Sequence, residues 1–180
     1  MNRVGIVIAV IAGMLVAEAR LSRLHERMLR ARGAVAPPGD VYTALAVLYP
    51  GIFLAMAAEG FWRASQQGDT GGQGPNWFMS GVLLFVASKA VKYWAIRTLG
   101  VRWAFRVLVV PGWPLVTTGP YRYFAHPNYV AVVGELAGAA MMCGAPIAGT
   151  AGLVVFGAVL WQRVRFEAGV LRRAREESRG

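Results

Sequence analysis

Five apolar stretches, separated by polar segments, dominate the pattern of the chain. They cover roughly residues 4–19, 41–61, 77–96, 127–144 and 146–166. A helix needs about 20 apolar residues to cross the hydrocarbon core of a bilayer. The second, third and fifth stretches meet that length, and the first and fourth lie near its lower limit. The pattern predicts an all-α integral membrane protein with five transmembrane helices.

The polar segments are an Arg-rich stretch (20–32), a Gly/Gln loop (64–76), a mixed loop (97–126) and a turn near Pro146. Leucine and methionine recur at helical spacing among the arginines of 20–32. That pattern is typical of a helix lying on the membrane surface, so we expect an interfacial segment there.

The overall composition supports the membrane class, since 56% of the 180 residues are hydrophobic and 16% are charged. Cys143 is the only cysteine, which excludes an intrachain disulfide and a cysteine metal cluster. The net charge of +10 raises the possibility of nucleic-acid binding. The positions of the basic residues along the chain test that possibility.

Basic residues fall almost entirely on one side of the predicted bundle. With the N-terminus outside, 17 of the 19 Lys and Arg residues lie at the cytoplasmic side, and Arg3 and Arg63 are the exceptions. This is the positive-inside asymmetry of a membrane protein, so we predict an extracytoplasmic N-terminus, a cytoplasmic C-terminus and no nucleic-acid partner. A cleaved signal peptide ending near Ala17-Glu18-Ala19 is disfavoured, because arginines follow at once.

Polar groups concentrate in GPYRYFAHPNY at 119–129, just before the fourth span. Pro127 suits the first turn of a helix, where its missing N–H is not needed. The free N–H groups that follow would face the cytoplasm and favour a carboxylate or phosphate. Tyr121, Tyr123, His126 and Tyr129 would surround them. An interfacial aromatic anchor explains the same residues equally well.

Two further polar features lie within the spans. Glu135 is far enough along the fourth helix to be buried, and a structural ion pair with Lys89, Lys92 or Arg163 is favoured over a catalytic role. Arg163 and Glu167 share one face of the fifth helix. A functional pair and a charged helix end are equally compatible with that spacing.

The turn near Pro146 predicts a tight antiparallel hairpin of the fourth and fifth helices. Two small-xxx-small pairs, Gly134/Gly138 and Ala145/Gly149, would allow close helix approach. The hairpin would bring His126 and Tyr129 near Arg163 and Glu167, in one polar site facing the cytoplasm. The chain shows no metal-ligand set, no Ser-His-Asp spacing and no GxGxxG nucleotide motif.

At these residues the sequence resembles the isoprenylcysteine carboxyl methyltransferase family. That family carries a loop of the form LVTxGxYxxxRHPxY and then a hairpin ending in Arg-x-x-x-Glu. The corresponding segments here are LVTTGPYRYFAHPNY at 115–129 and RVRFE at 163–167. The upstream run KYWAIRTLGVRWAFRVLVVPGWPLV is most similar to bacterial members that methylate alkylpyrones and alkylresorcinols.

The resemblance implies an S-adenosyl-L-methionine site in the hairpin, outside any Rossmann fold. It assigns Arg163 to the substrate and the following residues to the cofactor: Trp113, Pro114, Leu115, Val116, Tyr121, His126, Pro127, Asn128, Tyr129 and Glu167. Arg106 and Glu135 are additional candidate substrate contacts, and no metal site is expected. Ala125 replaces the usual arginine of the motif, and Ala168 and Gly169 replace an acidic run.

We therefore expect three regions: membrane helices at 1–92, a methyltransferase core at 93–171 and a basic cytoplasmic tail at 172–180. The expected function is O-methylation of a lipophilic acceptor from the bilayer, either a hydroxyl of an alkylpyrone or alkylresorcinol or a carboxyl of an isoprenylcysteine-like compound. A phospholipid N-methyltransferase, a membrane reductase of related architecture and a non-catalytic scaffold are the alternatives. The expected location is a bacterial cell membrane.

Overall fold

Five α-helices make up the described part of the chain, which in this computed structural model is residues 2–67 and 74–177, with side chains to residue 169. They are α1 Arg3–Arg30, α2 Tyr42–Gln67, α3 Pro75–Leu99, α4 Pro127–Cys143 and α5 Pro146–Glu177. Two 3-10 turns, Gly100–Arg102 and Gly119–Arg122, lie between α3 and α4. Within these residues the only β pairing is an isolated bridge between Val35 and Val109. The predicted all-α class is confirmed.

Four of these described helices are long and apolar enough to cross a membrane: α1, α2, α3 with the turn that follows it, and α5. The fifth, α4, has 17 residues. At about 1.5 Å per residue it is roughly 26 Å long, slightly less than the ~30 Å hydrocarbon core. The predicted loop at 64–76 and basic tail at 172–180 lie partly outside the described residues.

The short helix α4 is the centre of the bundle, since it contacts α1, α2, α3 and α5. Leu136 and Ala139 on it are completely buried. The surrounding helices turn large apolar side chains outward, among them Leu54, Leu83 and Val154. Outward-facing apolar residues are what lipid contact requires, so the burial pattern agrees with a bundle that sits in a membrane.

Glycines set the close contact between α3 and α4. A Cβ atom added at Gly138 would lie 2.8 Å from the Gly81 carbonyl oxygen, and one at Gly81 would lie 2.9 Å from the Gly138 carbonyl oxygen. The small residues Gly134 and Gly138, expected in the α4–α5 hairpin, therefore face α3 instead. Gly149 does serve the hairpin, because a Cβ there would lie 2.3 Å from the Ala140 side chain.

The predicted turn between α4 and α5 is confirmed. Gly144 ends α4 with a φ of 65°, a left-handed conformation that glycine adopts without strain. The Ala145 N–H then donates to the Ala140 carbonyl at 2.9 Å. Glu59 of α2 caps the next helix, because its carboxylate accepts from the Ile147 and Ala148 N–H groups at 3.2 and 2.6 Å.

Helix α1 is longer than its apolar stretch. The segment predicted to lie separately on the membrane surface, 20–32, instead continues α1 as far as Arg30. The physical reason is that neither glycine nor proline occurs between positions 14 and 32, so nothing ends the helix before Gly33. At about 1.5 Å per residue the 28-residue helix exceeds the thickness of the core by two turns.

Two loops meet at the end of the bundle where α1 ends and α2 begins. Val35 and Val109 exchange backbone hydrogen bonds of 2.9 and 3.0 Å, which joins the α1–α2 loop to the α3–α4 loop. The Phe105 N–H donates to the Ser22 hydroxyl of α1 at 2.9 Å. The α3–α4 loop is thereby fixed across the bundle end, above the start of α4.

Candidate functional site

A cavity of about 560 Å³ lies at this end of the bundle. Its walls come from α2, α3, α4 and α5 and from the loop between α3 and α4. The volume falls within the ~300–1,000 Å³ typical of small-molecule sites. Because the walls come from four helices, the cavity is a property of the whole bundle as well as of the loop.

The start of α4 forms one polar wall. Pro127 is the first helical residue, and among the described residues no side chain caps this helix. The ring of His126 stacks on that of Tyr129, with centroids 5.3 Å apart and planes 17° from parallel. His126 Nδ1 lies 3.5 Å from a Glu167 carboxylate oxygen. An uncapped helix start beside an acid offers both a positive end and a negative charge to a ligand.

Arg163 and Glu167 of α5 face this wall within one network. The Tyr129 hydroxyl donates to Glu167 Oε1, and Arg163 Nε donates to the Tyr129 oxygen at 2.8 Å. Arg163 Nε also lies 3.2 Å from Glu167 Oε1. The Arg163 side chain is 6% exposed and that of Glu167 17%. The predicted approach of the α4 start to this pair is confirmed.

Tyr121, on the second 3-10 turn, also lines the cavity. Burial, with a smaller contribution from the negative charge of Glu167, raises the pKa of its phenol to about 12. Tyr121 is therefore protonated near neutral pH and can act as a hydrogen-bond donor to a ligand.

Part of the cavity wall is apolar. Leu45 and Ala46 of α2, Val132 of α4, and Phe156 and Leu160 of α5 form it. Val132, Phe156 and Leu160 are buried inside the bundle. A ligand with a polar end and a hydrocarbon part would match a cavity whose wall has both a polar and an apolar part.

Most residues expected at the cofactor lie on the cavity wall: Leu115, Val116, Tyr121, His126, Pro127, Asn128, Tyr129 and Glu167. The expected substrate contacts Arg163 and Arg106 lie there as well. Arg106 is partly exposed, stacks on the Tyr42 ring at 4.3 Å and lies 3.8 Å from a Glu26 oxygen. Ala125, which replaces the arginine of the motif, is also on the wall.

Trp113 and Pro114 are not part of the wall. The Trp113 ring lies beneath the guanidinium of Arg102 at 4.6 Å and that of Arg32 at 5.8 Å. The Pro114 carbonyl accepts a hydrogen bond from Arg102 at 2.5 Å. These contacts hold the turn at 111–114 against Arg102, which itself lines the cavity.

Glu135 lies behind the cavity wall in a buried cluster of four charges. Glu18 and Glu135 alternate with Lys89 and Lys92, at nitrogen–oxygen distances of 2.6 to 3.2 Å. The Tyr49 hydroxyl donates to Glu135 at 2.6 Å. The expected ion pair of Glu135 with Lys89 and Lys92 is confirmed, while Arg163 is paired elsewhere. Lys92 and Tyr49 reach the cavity wall, but Glu135 does not.

Three polar residues around the site were not anticipated from the sequence: Glu18, Asp40 and Tyr49. Glu18 could have been recognised from the sequence as a candidate buried charge, since it is the single acid within the first apolar stretch. Asp40 follows Pro37-Pro38-Gly39 and resembles an ordinary turn residue. Among the described residues, no group of three or more His, Cys, Asp or Glu side chains is arranged to hold a metal ion.

The comparison with known families agrees with this arrangement. Residues 81–173, slightly more than half of the chain, match the model of the isoprenylcysteine carboxyl methyltransferase (ICMT) family. The chain belongs to the ICMT family. Membership indicates a membrane methyltransferase, and methyltransferases of this family use S-adenosylmethionine.

A curated relative extends the similarity beyond the matched region. The chain is 29% identical over 131 residues to YpbQ, an uncharacterized protein of Bacillus subtilis (strain 168), covering 73% of this chain and 74% of the relative. No solved structure matches the chain.

Proposed function

We propose that the protein is an S-adenosylmethionine-dependent O-methyltransferase that acts on a lipophilic acceptor at the cytoplasmic face of the membrane. The acceptor group is a hydroxyl of an alkylpyrone- or alkylresorcinol-type compound, or a carboxyl of an isoprenylcysteine-like compound. The observation that carries the proposal is the single cavity that joins the polar residues of α4 and α5 to an apolar interior between helices.

The residues at the mouth fit S-adenosylmethionine chemically. Glu167 can hold the positively charged amino group of the cofactor, and the uncapped start of α4 can hold its carboxylate. Tyr121, Asn128 and His126 supply hydrogen-bonding groups around the remainder. When bound, the cofactor supplies a methyl group on a positively charged sulfur.

Arg163 is placed to hold the acceptor oxygen. A guanidinium has five N–H bonds. Among the described residues, Tyr129 and Glu167 both contact the Nε of Arg163. One terminal nitrogen donates to the Phe105 carbonyl, and the other lies near Asp40. Donors therefore remain for a ligand oxygen. A fixed positive charge stabilises the deprotonated form of an acidic hydroxyl or a carboxyl, which reduces the need for a strong general base.

The apolar interior gives the acceptor a place for its hydrocarbon part. Burial of alkyl groups against Leu45, Val132 and Phe156 contributes roughly 0.8 kcal/mol per methylene. The same residues keep water from the reacting oxygen, which strengthens its interaction with Arg163. In this proposal α4 is the fifth membrane span, and the cavity mouth faces the cytoplasm, where the basic residues lie.

The experiment is methyl transfer by purified protein in lipid vesicles with S-adenosylmethionine labelled in its methyl group. Three acceptor probes are offered separately: a long-chain alkylresorcinol, N-acetyl-S-farnesylcysteine and phosphatidylethanolamine. Mass spectrometry should find the label on oxygen of one of the first two probes, and Arg163→Leu is the control with strongly reduced activity. Label on the amine alone would identify a phospholipid N-methyltransferase. Absence of both transfer and S-adenosylmethionine binding would reject the proposal.

A further inference from the structure

The guanidinium of Arg163 is held from outside its own hairpin as well as from within it. Tyr129 and Glu167 contact its Nε from α4 and α5. Its two terminal nitrogens face away from the hairpin, one toward the Phe105 carbonyl and the other toward Asp40. The orientation of the planar group therefore depends on both sets of contacts.

Asp40 lies in the α1–α2 loop and has two distinct contacts. Its Oδ2 accepts from the Val107 N–H at 3.1 Å, which fixes the carboxylate to the α3–α4 loop. Its Oδ1 lies 3.5 Å from a terminal nitrogen of Arg163. This oxygen is buried and has no hydrogen-bond partner among the described residues, so its contact with Arg163 is mainly ionic. A buried carboxylate oxygen in that position is stable because the guanidinium faces it.

Ser22 supports the same guanidinium through the peptide unit of Phe105. The Ser22 side chain is buried on α1, and its hydroxyl accepts from the Phe105 N–H at 2.9 Å. The carbonyl of Phe105 accepts from Arg163. Residue 105 is thus held at its nitrogen by α1 while its oxygen holds Arg163.

We propose that Asp40 is a positioning residue for Arg163, with Ser22 as a second support acting through Phe105. The inference rests on the proposed function for the catalytic role of Arg163. Asp40 and Ser22 both precede residues 81–173, the region that matches the family. The part of the chain that carries the family motifs therefore does not complete its own site, because the N-terminal helix and loop orient its central arginine.

Three substitutions separate the two contacts of Asp40. Asp40→Asn keeps an oxygen for the Val107 N–H and removes the charge that faces Arg163. Asp40→Ala removes both contacts, and Asp40→Glu restores the charge with a longer side chain. With the probe that the wild-type protein methylates fastest, kcat of Asp40→Asn should fall about 10-fold or more, because loss of orientation acts on the reacting geometry. Asp40→Glu should recover part of that loss.

S-adenosylmethionine affinity distinguishes positioning from general damage. We expect the Kd of Asp40→Asn to stay within about two-fold of wild type, because Glu167 and the start of α4 are unchanged; a two-fold change is only ~0.4 kcal/mol. Glu59→Gln is the control, because it removes the same charge at a residue that contacts Arg63 and the start of α5 and is not on the cavity wall. Its kcat should stay near that of wild type.

A second measurement needs no acceptor. Phenylglyoxal modifies accessible guanidinium groups, and peptide mass spectrometry gives the rate at Arg163 itself. Arg163 should react several-fold faster in Asp40→Asn than in wild type or Glu59→Gln. Equal rates at Arg163 would overturn the positioning role, and so would a parallel loss of kcat, cofactor affinity and thermal stability. If wild type methylates none of the three probes, the proposed function fails, while the modification rates still decide the role of Asp40.

Discussion

Arg163 Nε lies 3.2 Å from Glu167 Oε1, and both residues contact the hydroxyl of Tyr129. The two charged residues are one helical turn apart on α5, so they form an ion pair whatever else they do. In the proposed division of roles, Arg163 contacts the acceptor and Glu167 contacts the cofactor, although the two side chains also form an ion pair with each other.

The first prediction tests that division by a double-mutant cycle. Arg163→Leu should lower kcat by roughly 10- to 150-fold with near-normal cofactor affinity, since a hydrogen bond to a charged group is lost mainly during transfer. Glu167→Gln should chiefly raise the Kd for S-adenosylmethionine. Methyl transfer gives kcat, and calorimetry gives the Kd. A purely structural ion pair predicts similar defects from either change and partial recovery in the double variant.

The second prediction concerns His126, whose ring lies against Tyr129 at the cavity wall. His126→Ala should weaken S-adenosylmethionine binding about 5- to 150-fold, the equivalent of ~1–3 kcal/mol for a lost hydrogen bond to the cofactor. His25→Ala is the comparison variant, because His25 is the other histidine of the chain, is not itself on the cavity wall and contacts the backbone carbonyl of Trp103, which lines the cavity. Calorimetry on folded protein measures both variants. Equal affinities of His126→Ala and His25→Ala would contradict the assignment.

The third prediction concerns the buried charge cluster. Lys89→Met leaves the two acids with one lysine and should destabilise the protein by about 3–5 kcal/mol, because an unpaired buried charge remains. The double variant Glu18→Gln/Lys89→Met restores neutrality and should cost clearly less than the sum of the single changes. Denaturant unfolding in detergent gives the free energies. Arg63→Met is the control, since it removes one partner of a more exposed pair, which should change stability by at most about 1 kcal/mol.

The fourth prediction concerns topology. A reporter fused after residue 70 should lie outside the cytoplasm, and one fused at the C-terminus should lie inside, because 17 of 19 basic residues lie on the predicted cytoplasmic side. A third fusion after residue 35, in the α1–α2 loop, should give the same result as the C-terminal one. Labelling of the residue 70 and C-terminal reporters on the same side would exclude five spans.

The sequence could predict the helices because apolar periodicity and helix-ending residues are local properties. Pro127 and Pro146 each mark a predicted helix boundary that the structure confirms. The motif at 115–129 and the Arg163/Glu167 spacing predicted which ends of α4 and α5 would meet. These features need only a few neighbouring residues to be recognised.

What the sequence could not supply were partners from distant parts of the chain. Glu18 and Lys89 are 71 positions apart, and the same charges fit several helix arrangements. Asp40 contacts Arg163 only because the α1–α2 loop pairs with the loop at 107–109. The arginines of 20–32 suggested a surface helix because charge pattern does not distinguish such a helix from an extension of α1 beyond the membrane.

The cluster of Glu18 with Lys89 and Lys92 also constrains how the protein enters the membrane during synthesis. An isolated lysine inside a span is costly to insert, by up to about 2.5–3.5 kcal/mol at the centre, and α3 carries two in its C-terminal half. Their partner Glu18 is synthesised earlier, on α1, so an α1 that stays beside the insertion machinery can neutralise these lysines when α3 arrives. A chain that lacked α1 would deliver an α3 with uncompensated lysines. The first helix can therefore act as an assembly partner for the third, because it is synthesised before the third helix.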